Sequence, residues 1–188
     1  MTYFIVGLPL RVAFGVRRNV EFKFMTGKKY IIAANHPSRA DPFLICYSLP
    51  LRTFLKLIPF RFITADEYMK IPAVGQVLLI YGCISTRDVK DVKVLDRAIQ
   101  LSNKGETIFI FPRGEIEKSS KVQKPKVGVV YLEREIKDCH VIPVHITIIS
   151  KGIIKKTQIN YKKAVRHSSY PDDLQSLAEN FMKIIEQD

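Results

Sequence analysis

The sequence predicts an α/β domain: a single domain with a central mixed, largely parallel sheet flanked by helices. Three observations predict it. Apolar runs of strand length recur along the chain, and segments with helical spacing lie between them. No repeat, low-complexity tract or Gly/Ser-rich linker divides the 188 residues, a length that suits one domain with a full core. Strands alternating with helices are the pattern of a largely parallel sheet with crossover connections.

The elements follow in chain order. Tyr3 to Val16 is apolar but short, and Pro9 and Arg11 interrupt it. A membrane span needs roughly 20 apolar residues, and the basic leader and small-residue cleavage site of a secretory signal are missing. With Arg17 and Arg18 behind it, the segment 1–19 has two readings. It lies in a membrane interface with its basic end at the headgroups, or it packs as a helix on the domain formed by residues 20–188. Tyr30–Ala34 reads as a strand. Asp41-Pro42 then reads as a helix start, Asp as N-cap and Pro as first helical residue, and Phe43–Leu49 continues that helix. Further strands are predicted at Phe60–Thr64, Leu79–Ser85, Thr107–Phe111, Val141–Ile148 and Thr157–Tyr161. Val89, Val92, Leu95 and Ile99 line one face of a helix that Asp88 would cap. Val127–Ile136 is another helix. Leu174, Leu177, Ala178, Phe181, Met182 and Ile185 form the stripe of a terminal helix, with Pro171-Asp172-Asp173 at its start.

Composition narrows the function classes. Hydrophobic residues at 47% and charged residues at 26% are ordinary for a globular fold, whereas a net charge of +12 is not. Residues 1–63 carry ten Lys/Arg against two Asp/Glu, and a second run (Lys151, Lys155, Lys156, Lys162, Lys163, Arg166) contains no acid. Such patches suit nucleic acid, anionic lipid surfaces or phosphorylated ligands, or form a solvated surface. No nucleic-acid-binding motif accompanies them. Cys46, Cys83 and Cys139 are odd in number and show no metal-ligand spacing, which fits free thiols in a reducing compartment and no metal site. Cys139-His140 and His145 fall on an alternating strand pattern rather than a ligand cluster.

In parallel sheets, sites gather in the loops beyond the strands' carboxyl ends. His36 follows the Tyr30–Ala34 strand, and Asp41 stands five positions later. The turn between them would bring the carboxylate against one ring nitrogen and leave the other to take a proton, as a general base with its orienting acid does. Arg87 closes Gly82-Cys83-Ile84-Ser85-Thr86-Arg87, and Arg113 follows Phe109-Ile110-Phe111-Pro112. Two arginines at strand ends suit a phosphate, which the planar guanidinium binds with two hydrogen bonds, or form surface ion pairs. Ser38 reads as a turn residue and Cys46 as core. Lys56 and Arg61 would add to a basic floor or belong to a solvated loop.

Taken in order, these blocks resemble the glycerolipid acyltransferases of the lysophosphatidic acid acyltransferase family. Asn35-His36-Pro37-Ser38-Arg39-Ala40-Asp41-Pro42 is similar to the first block. Ile63 to Gly75 is similar to an intervening segment, Gly82–Arg87 to the second block, Phe111-Pro112-Arg113-Gly114 to the third and Val141-Ile142-Pro143-Val144 to the fourth. The resemblance spans about residues 20–150. It departs in two places: Arg113 occupies the position of the family's glutamate and Glu115 that of its hydroxyl residue, and the second block is one residue short before Arg87. Both departures fall where the family contacts its acceptor.

The resemblance implies an acyltransferase-like fold and transfer of a fatty acyl group from a thioester, acyl-CoA or acyl-carrier protein, to a lysophospholipid hydroxyl, most simply that of 1-acylglycerol 3-phosphate. It implies His36 as general base, Asp41 as its orienting acid, and Arg87, Arg113, Gly114 and Glu115 at the acceptor. The thioester is a co-substrate, and no other cofactor is implied. An anionic membrane surface becomes the expected partner, with the protein peripheral or monotopic on the cytoplasmic side. Two alternatives stay open: another lysolipid or hydroxylated lipid as acceptor, and a non-catalytic basic domain that binds anionic membranes or nucleic acid.

Overall fold

A computed structural model describes residues 2–64, 69–72, 74–80, 82–86, 91–117, 123–151, 154–171 and 173–187. Two short helices, α1 (Thr2–Ile5) and α2 (Gly7–Ala13), lead into strand β1 (Val16–Val20). Then come β2 (Lys29–Ala34), α3 (Asp41–Ser48), α4 (Leu51–Leu57), β3 (Phe60–Thr64), α5 (Val74–Ile80) and β4 (Ile84–Ser85). The chain continues through α6 (Asp91–Asn103), β5 (Thr107–Ile110), α7 (Gly128–Glu135), β6 (Cys139–Lys151), β7 (Ile154–Tyr161) and α8 (Leu174–Glu186).

The strands form one seven-stranded sheet in the order β1-β7-β6-β2-β5-β3-β4. β2 lies parallel to both β5 and β6, and β3 is parallel to β5 and β4. The hairpin β6–β7 is antiparallel, and β1 runs parallel to β7. This is the predicted mixed, largely parallel sheet. The pairing puts the carboxyl ends of β2 to β6 and the amino ends of β1 and β7 at one edge.

Central strands bury both faces, so they read as continuous apolar runs rather than alternating ones. Ile32, Ala34, Phe60, Phe62, Phe109, Ile142 and Val144 face one core, with Leu44, Ile45 and Tyr47 of α3 and Phe54 and Leu57 of α4 packed on them. Ile31, Ala33, Ile108, Ile110 and Val141 face the other, which α6, α7 and α8 cover. The predicted terminal stripe is confirmed: Ala178, Phe181, Met182 and Ile185 are buried, and the Asp173 side chain caps α8 by accepting from Gln175 N–H at 2.9 Å.

The anchoring of α3 matters most for the site. Tyr161 of β7 donates to the Ile45 carbonyl and meets Ser48 Oγ at 2.7 Å. The helix's carbonyl end takes cations, which a helix C-terminus favours: Arg11 donates to Tyr47 and Leu49, and Arg18 to Ser48. Part of the basic excess in the N-terminal third therefore caps a helix. Gly7 fits closely there, since a Cβ at that position would lie 2.8 Å from the Tyr47 ring.

Several expectations change. Leu79–Ser85 is not one strand: α5 reaches Ile80, and only Ile84–Ser85 pair with β3. Gly82 decides it, with φ at +64°. Its N–H donates to the Leu79 carbonyl and Cys83 N–H to that of Leu78, the paired bonds that end a helix at a left-handed residue. Asp41 is the first residue of α3 rather than its N-cap, which is Ala40, because its carboxylate is drawn back into the preceding turn. The core face of α6 centres on Val94, Ala98 and Leu101, with Leu95 and Ile99 half-buried beside it. Arg61 is no part of an open basic floor: it pairs with Glu106 and donates to the Gly82 carbonyl, while Lys56 reaches the Phe24 carbonyl at 3.3 Å. Arg87, Asp88, Val89 and Asp172 lie outside the described residues. No helix among the described residues is long and apolar enough to cross a membrane.

Candidate active site

The site is built on the turn that leaves β2 at the carboxyl edge of the sheet. Asn35, 6% exposed, fixes where the turn begins. Its side-chain amide donates to the Ile146 carbonyl at 2.9 Å and accepts from the Ile146 N–H at 2.7 Å. A side chain thus completes a backbone-like pair with β6 where the β2 ladder ends, and the next residue, His36, is held at the edge.

Asp41 then folds back from the first turn of α3. Its Oδ2 lies 2.9 Å from His36 Nδ1 and accepts from Ser38 N–H at 2.7 Å, and its Oδ1 accepts from Ser38 Oγ at 2.8 Å. The Asp41 side chain is fully buried, and that of His36 is 13% exposed. A buried carboxylate is tolerated when its lone pairs are met; here a hydroxyl, a backbone amide and an imidazole meet them, and the helix start adds a favourable dipole. A carboxylate only accepts, so the imidazole keeps its proton on Nδ1 and presents the lone pair of Nε2. Nε2 makes no hydrogen bond to a described residue.

The third block supplies a wall. Phe111 follows β5 and stacks on the imidazole, with ring centroids 4.0 Å apart and planes inclined by 16°. The loop behind it is tied to the same turn, since Glu117 N–H donates to the His36 carbonyl at 2.8 Å. Gly114, at φ +74°, closes a tight turn by donating to the Phe111 carbonyl, and Lys126 covers it. A side chain at Gly114 would need a left-handed backbone as well as room against Lys126.

The predicted site residues separate into two groups. His36 and Asp41 meet. Arg113 and Glu115 lie on the adjoining loop with other partners. Arg113 donates to Glu117 at 2.8 Å, to Glu186 at the end of α8 and to the Gln123 carbonyl at 3.0 Å. Its surroundings oppose the charge by burial, but Glu186 and Glu117 outweigh that and hold it protonated beyond the usual range. Glu115 is exposed and accepts from Gln123 Nε2 at 2.5 Å. Arg87 lies outside the described residues. Sequence reasoning did not assign Asn35 or Phe111 any role and took Ser38 only as a turn residue. For Ser38 the signal was present, as a hydroxyl three residues before a buried Asp; for the other two it is not local.

Chemically, the arrangement is an oriented imidazole with a lone pair directed away from its acid, at a sheet edge and beside an arginine-bearing loop. It suits removal of a proton from a hydroxyl. Comparison with known proteins agrees in kind. A family model described as Acyltransferase matches residues 16–147. No curated protein sequence matches the chain. Among solved structures, the crystal structure of the 1-acyl-sn-glycerophosphate (LPA) acyltransferase PlsC from Thermotoga maritima is similar in fold, with a TM-score of 0.66. That similarity carries 20% identity and covers 98% of this chain and 79% of the other. With the family model spanning well over half of its length, and both histidine and aspartate of the first block inside that span, the chain belongs to the acyltransferase family.

Proposed function

We propose that the protein transfers a fatty acyl group from an acyl thioester, acyl-CoA or acyl-carrier protein, to the free hydroxyl of a lysophospholipid. The acceptor proposed is 1-acylglycerol 3-phosphate, and the product is phosphatidic acid. The observation that carries the reading is the His36–Asp41 pair at the sheet edge, with no described residue hydrogen-bonded to Nε2. The hydroxyl oxygen attacks the thioester carbonyl carbon while His36 Nε2 takes its proton. Asp41 holds the tautomer and stabilises the imidazolium. When the tetrahedral intermediate collapses, the carbon–sulfur bond breaks and His36 returns the proton to the leaving thiolate. An ester and a free thiol result, and no acyl-enzyme forms. Cys46, the cysteine nearest in sequence, is buried, and burial holds its thiol well above the usual range, which suits a core residue rather than a nucleophile.

The acceptor's phosphate is assigned to Arg87 and Arg113 on their positions in the second and third blocks, with Gly114 and Glu115 shaping the same loop. Arg113 would exchange its Nη1 contacts with Glu117 and Glu186 for the phosphate, which a planar guanidinium can hold with two hydrogen bonds. That engagement also favours a second reading, in which the same chemistry serves a lysolipid or hydroxylated lipid without phosphate.

The proposed working place is an anionic membrane surface on the cytoplasmic side, with the protein peripheral or monotopic. Phe4, Ile5, Leu8 and Val12 of the N-terminal helices are 60%, 61%, 57% and 75% exposed, an apolar surface next to Arg17. α2 ends at the edge that carries His36, because β1, which follows it, begins there. The three cysteines are free thiols, in keeping with a reducing compartment.

A panel of acceptors with one acyl donor tests the acceptor assignment, with thiol release as the readout. Faster release with 1-acylglycerol 3-phosphate than with the monoacylglycerol of the same chain is expected. Preference for the phosphate-free acceptor would overturn the phosphate assignment and select the second reading.

A further inference from the structure

β6 and β7 outrun the rest of the sheet. β2 pairs with β6 only from Cys139 to Val144, and β1 pairs with β7 only from Thr157 to Tyr161. Beyond these limits the pairs Ile149↔Lys156, Ser150↔Lys155 and Lys151↔Ile154 form a two-stranded ribbon to which no other strand among the described residues pairs. It overhangs at the carboxyl edge, where His36 stands. Asn35 is bonded to Ile146, so five further β6 residues run past that level. At about 3.3 Å per residue, the ribbon reaches roughly 15 Å beyond the level of Asn35, more than the roughly 5–8 Å thickness of one headgroup layer.

Its chemistry suits that depth. Ile149 is 48% exposed and faces Lys156, also exposed, across the ribbon. The stretch from Cys139 to Pro171 contains Lys151, Lys155, Lys156, Lys162, Lys163 and Arg166 and no acidic residue. The ribbon's base adjoins the N-terminal helices, since Thr157 N–H donates to the Phe14 carbonyl at 3.0 Å.

We infer that the β6–β7 ribbon is a second membrane contact, which seats Ile149 at the acyl boundary and Lys156, level with it, against anionic headgroups, and so sets the bilayer at the carboxyl edge that carries His36. This rests on the membrane reading above, and the test separates the two. The probes are phosphatidylcholine vesicles with and without phosphatidylglycerol, the readout is co-sedimentation, and the variants are Ile149→Ser, Lys156→Gln and both together. One lysine near an anionic surface changes partition about fivefold, so the double variant is expected to bind phosphatidylglycerol vesicles at least tenfold less than the parent. Its thermal midpoint and its turnover of a short-chain, water-soluble lysolipid should match the parent's. Lys137→Gln, an exposed lysine before the amino end of β6, should leave partition unchanged. If the parent binds and the ribbon variant binds equally, the ribbon contact is overturned while the membrane reading stands. A loss as large from Lys137→Gln would also overturn it, because net charge alone would then explain binding. A parent that sediments with neither vesicle overturns both.

Discussion

Two histidine–carboxylate pairs among the described residues are nearly alike by distance and burial. His36 Nδ1 lies 2.9 Å from Asp41, and His167 Nδ1 lies 2.7 Å from Glu133. The carboxylates are 0% and 2% exposed and the imidazoles 13% and 16%. Their surroundings differ. Asp41 spends its remaining bonds on Ser38, inside the turn that presents His36 at the carboxyl edge. Glu133, on α7, grips ring and backbone of one residue, because its Oε1 also accepts from His167 N–H at 2.6 Å. Tyr170 lies against the same carboxylate, and burial followed by that charge pushes its pKa up to about 12. Val165, two residues before His167, bridges to Val141, so this pair sits toward the amino end of β6. The second pair staples the connection after β7 onto α7. Position at the carboxyl edge of the sheet, not pair geometry, marks the first as chemical.

The largest effect that would break this contrast is at Asp41. Asp41→Asn is expected to lower kcat about 10³-fold, since the amide no longer enforces the Nδ1–H tautomer, with KM changed little; steady-state thiol release measures both. A matching loss from Glu133→Gln would erase the distinction. Next in size, His167→Ala leaves the buried Glu133 without the imidazole, with only the backbone N–H and Tyr170 beside it, and should cost about 3 kcal/mol of stability. That corresponds to a fall of roughly 10 °C in thermal midpoint for a chain of this size. Calorimetry checks it, and per folded molecule kcat should stay within about threefold of the parent. Ser38→Ala removes one charged hydrogen bond from Asp41, worth about 1.5 kcal/mol. It should lower kcat about tenfold, with Ser38→Thr restoring most of it. The smallest effect is at Phe111: Phe111→Leu keeps an apolar wall but loses the stacked face, worth about 1 kcal/mol. A drop in kcat of about fivefold is expected, with the thermal midpoint within about 3 °C of the parent.

The same contrast explains what the sequence could show. The first pair was legible because its parts are local: a strand, a histidine at its end and an aspartate five residues on. Glu133 and His167, 34 positions apart, gave no comparable signal. β2, β3, β5, β6 and β7 were legible as apolar runs. β1 was not: Arg17, Arg18 and Asn19 are exposed along its middle, and only pairing with the distant β7 makes it a strand. Leu79–Ser85 misread because an apolar run has no period to tell helix from strand, and the left-handed turn at Gly82 settles it. In the site, Asn35 with Ile146, Phe111 with His36 and Arg113 with Glu186 are contacts between distant segments, which a one-dimensional pattern does not carry.

The central claim is that His36, and not His167, takes the proton from the acceptor hydroxyl. Thiol release from acyl-CoA with 1-acylglycerol 3-phosphate, measured on His36→Ala and His167→Ala at equal folded concentration, tests it most directly. The account predicts a loss of about 10³-fold in kcat for His36→Ala and near-parental turnover for His167→Ala. Turnover by His36→Ala within a few-fold of the parent would contradict it.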